Sequence, residues 1–524
     1  MVDGKNQTTT FTYDLLDRPD VASFQDGSTI DSNYDPDGNL LQVTDATGIT
    51  VFAYDKMNRQ IRKTLPDNSQ LRYDYDHNGN LSGYTDPGGQ VQYTYDQANR
   101  LTELLEPGAS TPVRFGYDNA NRRTTTTYPT SPTATVMTTG YDDAGRLASI
   151  KATVGTSTLS SFIYSYTKNG VDTALRQSMT EPSGTTSYSY DGRNRLSGAS
   201  GPGLTRSYGY DLNSNRISKT ENGTTTSYGY NAANELTTVN GTPTYTYDPN
   251  GNLTGGGGWS LSYNAKDQTT SITKPGGTAL SPLAYAGGDQ TQRTQAGATG
   301  FVNSVLGVAS ATAPGGSDFY TRDNRGTLVS LRAASGSRYY YLFDGLGSVV
   351  GLVNSNGSKV NSYSYDPYGV QLSATEAVAN PWRYASGQYD SQTGLTKFGT
   401  RYYDPTLGRF TQRDPISPTL THYRYAACDP VNRVDPLGTQ EIPPILYDEC
   451  SPIRTAEITT FDWEGDVFIV KTLVYDVYTL KLCDTFENEA VSPDDPLPPE
   501  PPPGEENNSI IENIVRLIPV IGFW

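Results

Sequence analysis

Residues 93–101, Tyr93-Thr94-Tyr95-Asp96-Gln97-Ala98-Asn99-Arg100-Leu101, decide the fold. Tyr93 and Tyr95 are two apart, so on a strand they point to one face while Thr94 points to the other. Asp96 then opens a turn, because its carboxylate can accept backbone N–H bonds two residues on. Asn99, three after the aspartate, is of a type that tolerates positive φ. A second strand follows in Leu101-Thr102-Glu103-Leu104-Leu105, and a Gly/Pro turn closes the unit.

The unit recurs. Tyrosine followed by a polar turn appears at Tyr13, Tyr34, Tyr54, Tyr75, Tyr95, Tyr117, Tyr141, Tyr166, Tyr190, Tyr210, Tyr230, Tyr247 and Tyr263, in steps of 16 to 25 residues. The position three after the aspartate is Gly38, Gly79, Gly145, Gly251 or Gly369, and elsewhere Asn58, Asn99, Asn121 or Asn194. A two-strand unit of this size cannot bury its aromatic face alone, so neighbours must stack. The expectation is an all-β chain: hairpins laid side by side into a long antiparallel sheet that must curl or close to protect its edges. In this reading the tyrosines and aspartates are architecture, a ladder and its turns.

Composition agrees. Of 524 residues only 35% are hydrophobic, while 39 are tyrosine, 52 glycine and 33 proline, which suits strands and tight turns better than packed helices. Disordered chains are poor in aromatics, so disorder is excluded for the array. Net charge is −17, and residues 440–524 hold 17 acidic and 4 basic side chains, most of that excess. No stretch has the basic footprint of a nucleic-acid binder. Cys428, Cys450 and Cys483 form neither a zinc spacing nor a disulfide framework; Cys450 and Cys483 can pair in an oxidising compartment or remain free thiols. The two histidines, His77 and His422, read as a turn residue and a strand-face residue, so neither a metal site nor a cofactor site is expected. The N-terminus shows no basic region followed by an apolar run, and a repeat begins almost at once, as in a fragment of a longer chain.

The array resembles the YD/RHS repeats of bacterial Rhs proteins, wall-associated polymorphic toxins, the C components of insecticidal toxin complexes and animal teneurins. The most specific part begins at Tyr339-Tyr340-Tyr341-Leu342-Phe343-Asp344-Gly345 and continues through Tyr363-Ser364-Tyr365-Asp366-Pro367-Tyr368-Gly369 and Tyr384-Ala385-Ser386-Gly387-Gln388-Tyr389-Asp390. Arg401-Tyr402-Tyr403-Asp404-Pro405, Leu407-Gly408-Arg409-Phe410, Arg413-Asp414-Pro415 and Asp435-Pro436-Leu437-Gly438 follow in the family's order. The resemblance implies a spiralling, curled β-shell whose associated core plugs one end, with a variable segment held inside. It divides the chain into a repeat array at 1–290, degenerate repeats or a connector at 291–338, and the associated core at 339–439. A variable β segment at 440–490, a Pro-rich linker at 491–507 and a short amphipathic helix with an apolar end at 508–524 complete it.

The resemblance also implies self-cleavage by an aspartyl dyad. Carried over residue by residue, the candidates are Arg413, Asp414 and Asp435, with the bond near Thr439–Gln440. Two carboxylates held close cannot both ionise easily, so one stays protonated as an acid while the other activates water. An arginine would fix one carboxylate in its charged state. Ser417 stands where the family has glycine, Thr439 where it has leucine, and the gap between the motifs is 17 residues. The other reading is that both Asp-Pro motifs are turns that seal the plug.

The tail has no histidine, no phosphate-cradling glycine loop and no Cys/His cluster, so it carries no catalytic signature and enzyme activity is limited to autoproteolysis. The stretch Val467 to Tyr478 alternates as two or three strands do. Ser509 and Glu512 form a capping box for a helix over 508–518. Three function classes follow: a secreted shell that encloses its own C-terminal segment as cargo, with a delivery partner and an immunity protein; a structural or adhesive surface protein that binds carbohydrate or a neighbouring cell; and an enzyme in the tail, which the missing signature disfavours.

Overall fold

The computed structural model describes residues 1–416 and 422–442 in full, together with the backbone of the strands Thr455–Glu464, Val467–Asp476 and Leu482–Val491. Ser417, Cys450, the Pro-rich linker and the expected C-terminal helix lie outside the described residues. Two compact units are present, Met1–Leu446 and Tyr447–Trp524. In the second, the three strands pair antiparallel, Thr455–Glu464 with Val467–Asp476 and that strand with Leu482–Val491.

The first unit is a meander in which nearly every strand pairs with its neighbours in sequence. One ladder runs from Thr10–Tyr13 to Thr242–Pro243, a second spans Thr246–Tyr247 to Thr269–Thr273, and a third of ten strands spans Leu283–Ala286 to Gln371–Glu376. The stretch 291–338 belongs to this third ladder and runs through it without interruption. A last four-stranded ladder runs from Gln388–Asp390 to Arg409–Phe410.

The repeat turn explains the ladder. Asp96 Oδ1 accepts the N–H groups of Ala98 and Arg100 at 2.9 and 3.0 Å, while the Asn99 N–H donates to the Asp96 carbonyl at 3.0 Å. Asn99 has φ of 58°, and the glycine or asparagine at the same place in the other expected turns is likewise positive, from 57° at Asn58 to 91° at Gly38. A type I turn followed by a left-handed residue makes a bulge, and the register accordingly shifts at Tyr95, Tyr117, Tyr141, Tyr190 and Tyr210.

Arginine four after the aspartate joins one repeat to the next. Arg100 Nε and Nη2 donate to Asp96 Oδ2 at 2.8 and 2.7 Å, and its guanidinium lies 5.0 Å from the ring centre of Tyr117 in the following repeat. The Tyr117 hydroxyl then donates back to the Leu101 carbonyl at 2.7 Å. The same stack recurs for Arg18 on Tyr34, Arg59 on Tyr75, Arg122 on Tyr141, Arg146 on Tyr166 and Arg195 on Tyr210. Where asparagine replaces the arginine, its amide bridges two turns instead: Asn80 Nδ2 donates to Asp76 Oδ2 and Asn99 Oδ1, both at 2.9 Å.

The later course of the chain packs on the earlier one. Their contacts bridge 262 residues at Lys5–Asp267, 229 at Tyr93–Arg322, 213 at Tyr128–Tyr341, 160 at Arg206–Asp366 and 255 at Arg176–Val431. Leu71, Tyr73, Tyr93, Leu104 and Tyr128 share one hydrophobic core with Val329, Tyr340, Leu342 and Val353, and the rings of Tyr128 and Tyr340 stack at 4.9 Å. Buried ion pairs cross the same contact. Arg123 reaches Asp323 at 2.9 Å with both side chains almost wholly covered.

Breaking a buried pair from one side leaves an uncompensated charge, at a cost of about 3–5 kcal/mol, whereas an exposed pair contributes about 0–1 kcal/mol. Arg123→Ala is therefore expected to destabilise the chain strongly. Arg114→Ala, which removes the exposed Arg114–Glu103 pair, is expected to change little. Comparable shifts in urea midpoint for both variants would refute this account of the contact between the courses.

Candidate functional site

The strand Arg401–Asp404 positions the site because its side chains alternate. Tyr402 turns toward the repeats, where its hydroxyl meets that of Tyr285 at 2.8 Å and accepts from Arg293 at 3.1 Å. Tyr403 turns toward the core, into a cluster with Phe398, Phe410 and Tyr425 whose closest ring centres, Tyr403 and Tyr425, are 4.4 Å apart. Arg401 shares that face, its guanidinium 3.7 Å from the centre of the Phe410 ring.

Two further segments close over Arg401. The Asp414 N–H donates to the His422 carbonyl at 2.9 Å, bringing the first Asp-Pro motif back against residue 422. The Val434–Ile442 bridge and the Thr400 N–H, which donates to the Leu437 carbonyl at 2.9 Å, lay the second motif along residues 399–401. Gly438 has φ of +69°, and a Cβ there would come within 2.6 Å of the Phe398 carbonyl oxygen. No other residue type fits that turn without displacing the strand.

Both expected carboxylates meet at one nitrogen. Arg401 Nη2 donates to Asp414 Oδ2 at 3.0 Å and to Asp435 Oδ2 at 3.2 Å. Arg401 Nη1 donates to the His422 carbonyl at 2.8 Å, and Nε donates to the Gly438 carbonyl. Asp435 Oδ1 accepts the N–H groups of Thr439 and Gln440 at 3.0 and 3.1 Å, so this carboxylate lies on the amide of the expected bond and on the one before it. Asp414 Oδ1 accepts the Ile416 N–H at 3.0 Å. The Asp435 side chain is 2% exposed and that of Asp414 10%.

Burial dominates the electrostatics. It lifts the Asp435 carboxyl to about 6, opposed by Arg401 and the Gln440 N–H and reinforced by Asp414. The same burial holds the Arg401 guanidinium below the usual arginine range, opposed by the two carboxylates. A carboxyl group that is neutral in mildly acidic conditions beside a more accessible carboxylate is the asymmetry an acid–base pair requires.

The expected site residues do not all converge. Asp414, Asp435 and the Thr439–Gln440 segment come together. Arg413 Nη2 lies 3.2 Å from His422 Nε2, and the Arg413 side chain packs on the repeat turn at Gly251. The guanidinium that reaches both carboxylates is that of Arg401, which spacing did not single out. The signal was present, since Arg401 stands two residues before Tyr403 on one strand face. His422, expected as a strand-face residue, supplies a carbonyl to Arg401; burial, then Arg413, keeps its imidazole below the usual histidine range. Cys428 is buried, its thiol lifted to about 12 by desolvation. Among the described residues no group of histidine, cysteine, aspartate or glutamate could hold a metal ion.

The family described as Teneurin YD-shell matches residues 1–130, 123–281 and 317–431. The tRNA3(Ser)-specific nuclease WapA of Bacillus spizizenii is 32% identical over 226 residues, 40% of this chain and 10% of that protein. Toxin subunit YenC1 of Yersinia entomophaga is 30% identical over 127 residues, 23% of this chain and 13% of that protein. The chain thus spans about a tenth of these relatives' length. The crystal structure of TcdB2-TccC3-TEV superposes with a TM-score of 0.65 at 16% identity, covering 82% of this chain and 27% of that one.

Because Asp435 has a raised value in the fold, its contribution to stability is present at acid pH and lost as pH rises through about 6. The thermal midpoint is expected to fall between about pH 4 and 6, and Asp435→Asn is expected to flatten that fall. A pH dependence that the substitution leaves unaltered would place the carboxyl's titration elsewhere.

Proposed function

The chain belongs to the teneurin YD-shell family, and from that premise we propose that residues 1–439 form a shell that encloses the segment after them and releases it by cutting its own backbone at Thr439–Gln440. The observation that carries this reading is the meeting of Asp414 and Asp435 on Arg401, with Asp435 Oδ1 on the Gln440 nitrogen.

Hydrolysis there is a balanced acid–base step. Asp414, the more accessible carboxylate, takes a proton from water as the water oxygen adds to the Thr439 carbonyl carbon. The Thr439–Gln440 C–N bond then breaks, and neutral Asp435 gives its proton to the departing Gln440 nitrogen. The products are a carboxylate at Thr439 and an amine at Gln440. Protons exchanged with water return the pair to its starting state. A neighbouring bond is the second reading, because the Gly438 carbonyl accepts from Arg401 Nε and lies 3.3 Å from Thr400 Oγ1.

A toxin subunit among the relatives supports a secreted or cell-surface location, with the C-terminal segment as cargo and an immunity protein as partner. The nuclease activity in the name of the Bacillus relative is not carried over. A tail with 17 acidic and 4 basic side chains repels a phosphate backbone.

The test is the intact mass of the purified chain and of its Asp414→Asn variant under denaturing conditions. The chain is expected as two pieces, the smaller beginning Gln440-Glu441-Ile442, and the variant as one. Cleavage one bond earlier would shift both pieces by one threonine residue. An uncut chain in both cases leaves the motifs as structural turns and favours the adhesive class.

A further inference from the structure

Sequence points to two carboxylates; the geometry adds the group that holds them. Arg401 is 2% exposed, and its three nitrogens are engaged by four oxygens from three separate segments: Asp414, His422, Asp435 and Gly438. Phe410 covers the guanidinium plane on one side. Tyr425, Glu441, His422 and Arg413 complete the titratable surroundings of the pair. Asp414 and Asp435 are 21 positions apart in the chain, and the hydrogen bonds of one Arg401 nitrogen join them.

We propose that Arg401 is the positioning residue of self-cleavage: one guanidinium holds the two carboxylates in reach of each other while it fixes the Gly438 carbonyl that precedes the cut segment. This rests on the self-cleavage reading above. A planar, forked cation is suited to the task, since a lysine ammonium is a single point and cannot hold two carboxylates and a carbonyl in one plane. Arg401 does not exchange protons in the reaction; it acts through Asp414 and Asp435. The inference also accounts for the wide reach of Arg413, which is free to serve the repeat turn at Gly251.

The experiment compares the full-length chain with Asp414→Asn, Arg401→Ala, Arg401→Lys and the double variant Arg401→Ala/Asp414→Asn, measuring the fraction cut over time by intact mass and folding by circular dichroism. Arg401→Ala is expected to slow cutting by about a hundredfold, as misplaced reacting groups do. Guanidinium chloride at non-denaturing concentration is expected to restore cutting at the same bond in Arg401→Ala and not in the double variant. A merely structural arginine would not produce that dependence on Asp414. If the unaltered chain is uncut, the self-cleavage reading fails and takes this inference with it. If the unaltered chain is cut, Asp414→Asn is not, and a folded Arg401→Ala is cut at the original rate, self-cleavage stands and the role of Arg401 is overturned. Where Arg401→Ala does not fold or is not rescued, Arg401→Lys decides: slowed cutting with a displaced pH profile supports the role, and an unaltered rate and profile overturns it.

Discussion

The array stands on a carboxylate that accepts the N–H groups of its own turn. Without Asp96 and its equivalents, the left-handed residue three positions on would lose its support and the bulge that follows would relax. A one-residue slip in a strand exchanges its two faces, so every tyrosine beyond the slip would move from the core side to water. The same carboxylate aims the arginine that stacks on the next tyrosine. Turn chemistry therefore sets the spacing between repeats as well as the shape of each one. Each hydroxyl-to-carbonyl bond contributes only about 0.5–1.5 kcal/mol, and cohesion comes from repeating it along the ladder.

Between the courses a different interaction governs. Arg123–Asp323 and Arg206–Asp366 lie at 2.9 and 2.5 Å in places water hardly reaches. Buried pairs of this kind are weak contributors to net stability, because both charges lose their hydration. Their effect is selective. Any alternative seating of one course on the other strands a charge in a low-dielectric interior, which is far more costly than a misplaced leucine.

The sequence made the local half of this structure legible and hid the rest. Gly38, Gly79, Asn58 and Asn99 announced positive φ, and Tyr93/Tyr95 announced a face, since both depend on neighbours within a few residues. Arg401 opens the motif Arg401-Tyr402-Tyr403-Asp404-Pro405, and nothing local marks its role. Its partners lie 13, 21, 34 and 37 residues away, and no spacing rule links a strand residue to two later turns. Arg413 adjoins Asp414, but neighbours in the chain need not share a partner, and its side chain lies on the repeat turn at Gly251. The same limit hid Arg123–Asp323, whose two halves are 200 residues apart. Left-handed backbone at Ala426, Ala427 and Cys428 was also invisible, because these residue types do not favour it.

The long reach of these contacts has a consequence in time. Contacts that span 160 to 262 residues lay each later stretch upon an earlier one. A ribosome delivers the chain in that same order, N-terminus first. Arg401, Asp414, His422, Asp435 and Gly438 are among the last residues of the first unit to emerge, so the ladders precede the site that packs on them. Whatever occurs at that site waits for residues 435–442 to dock along the strand Arg401–Asp404, so its timing is set by the order in which the chain is laid down.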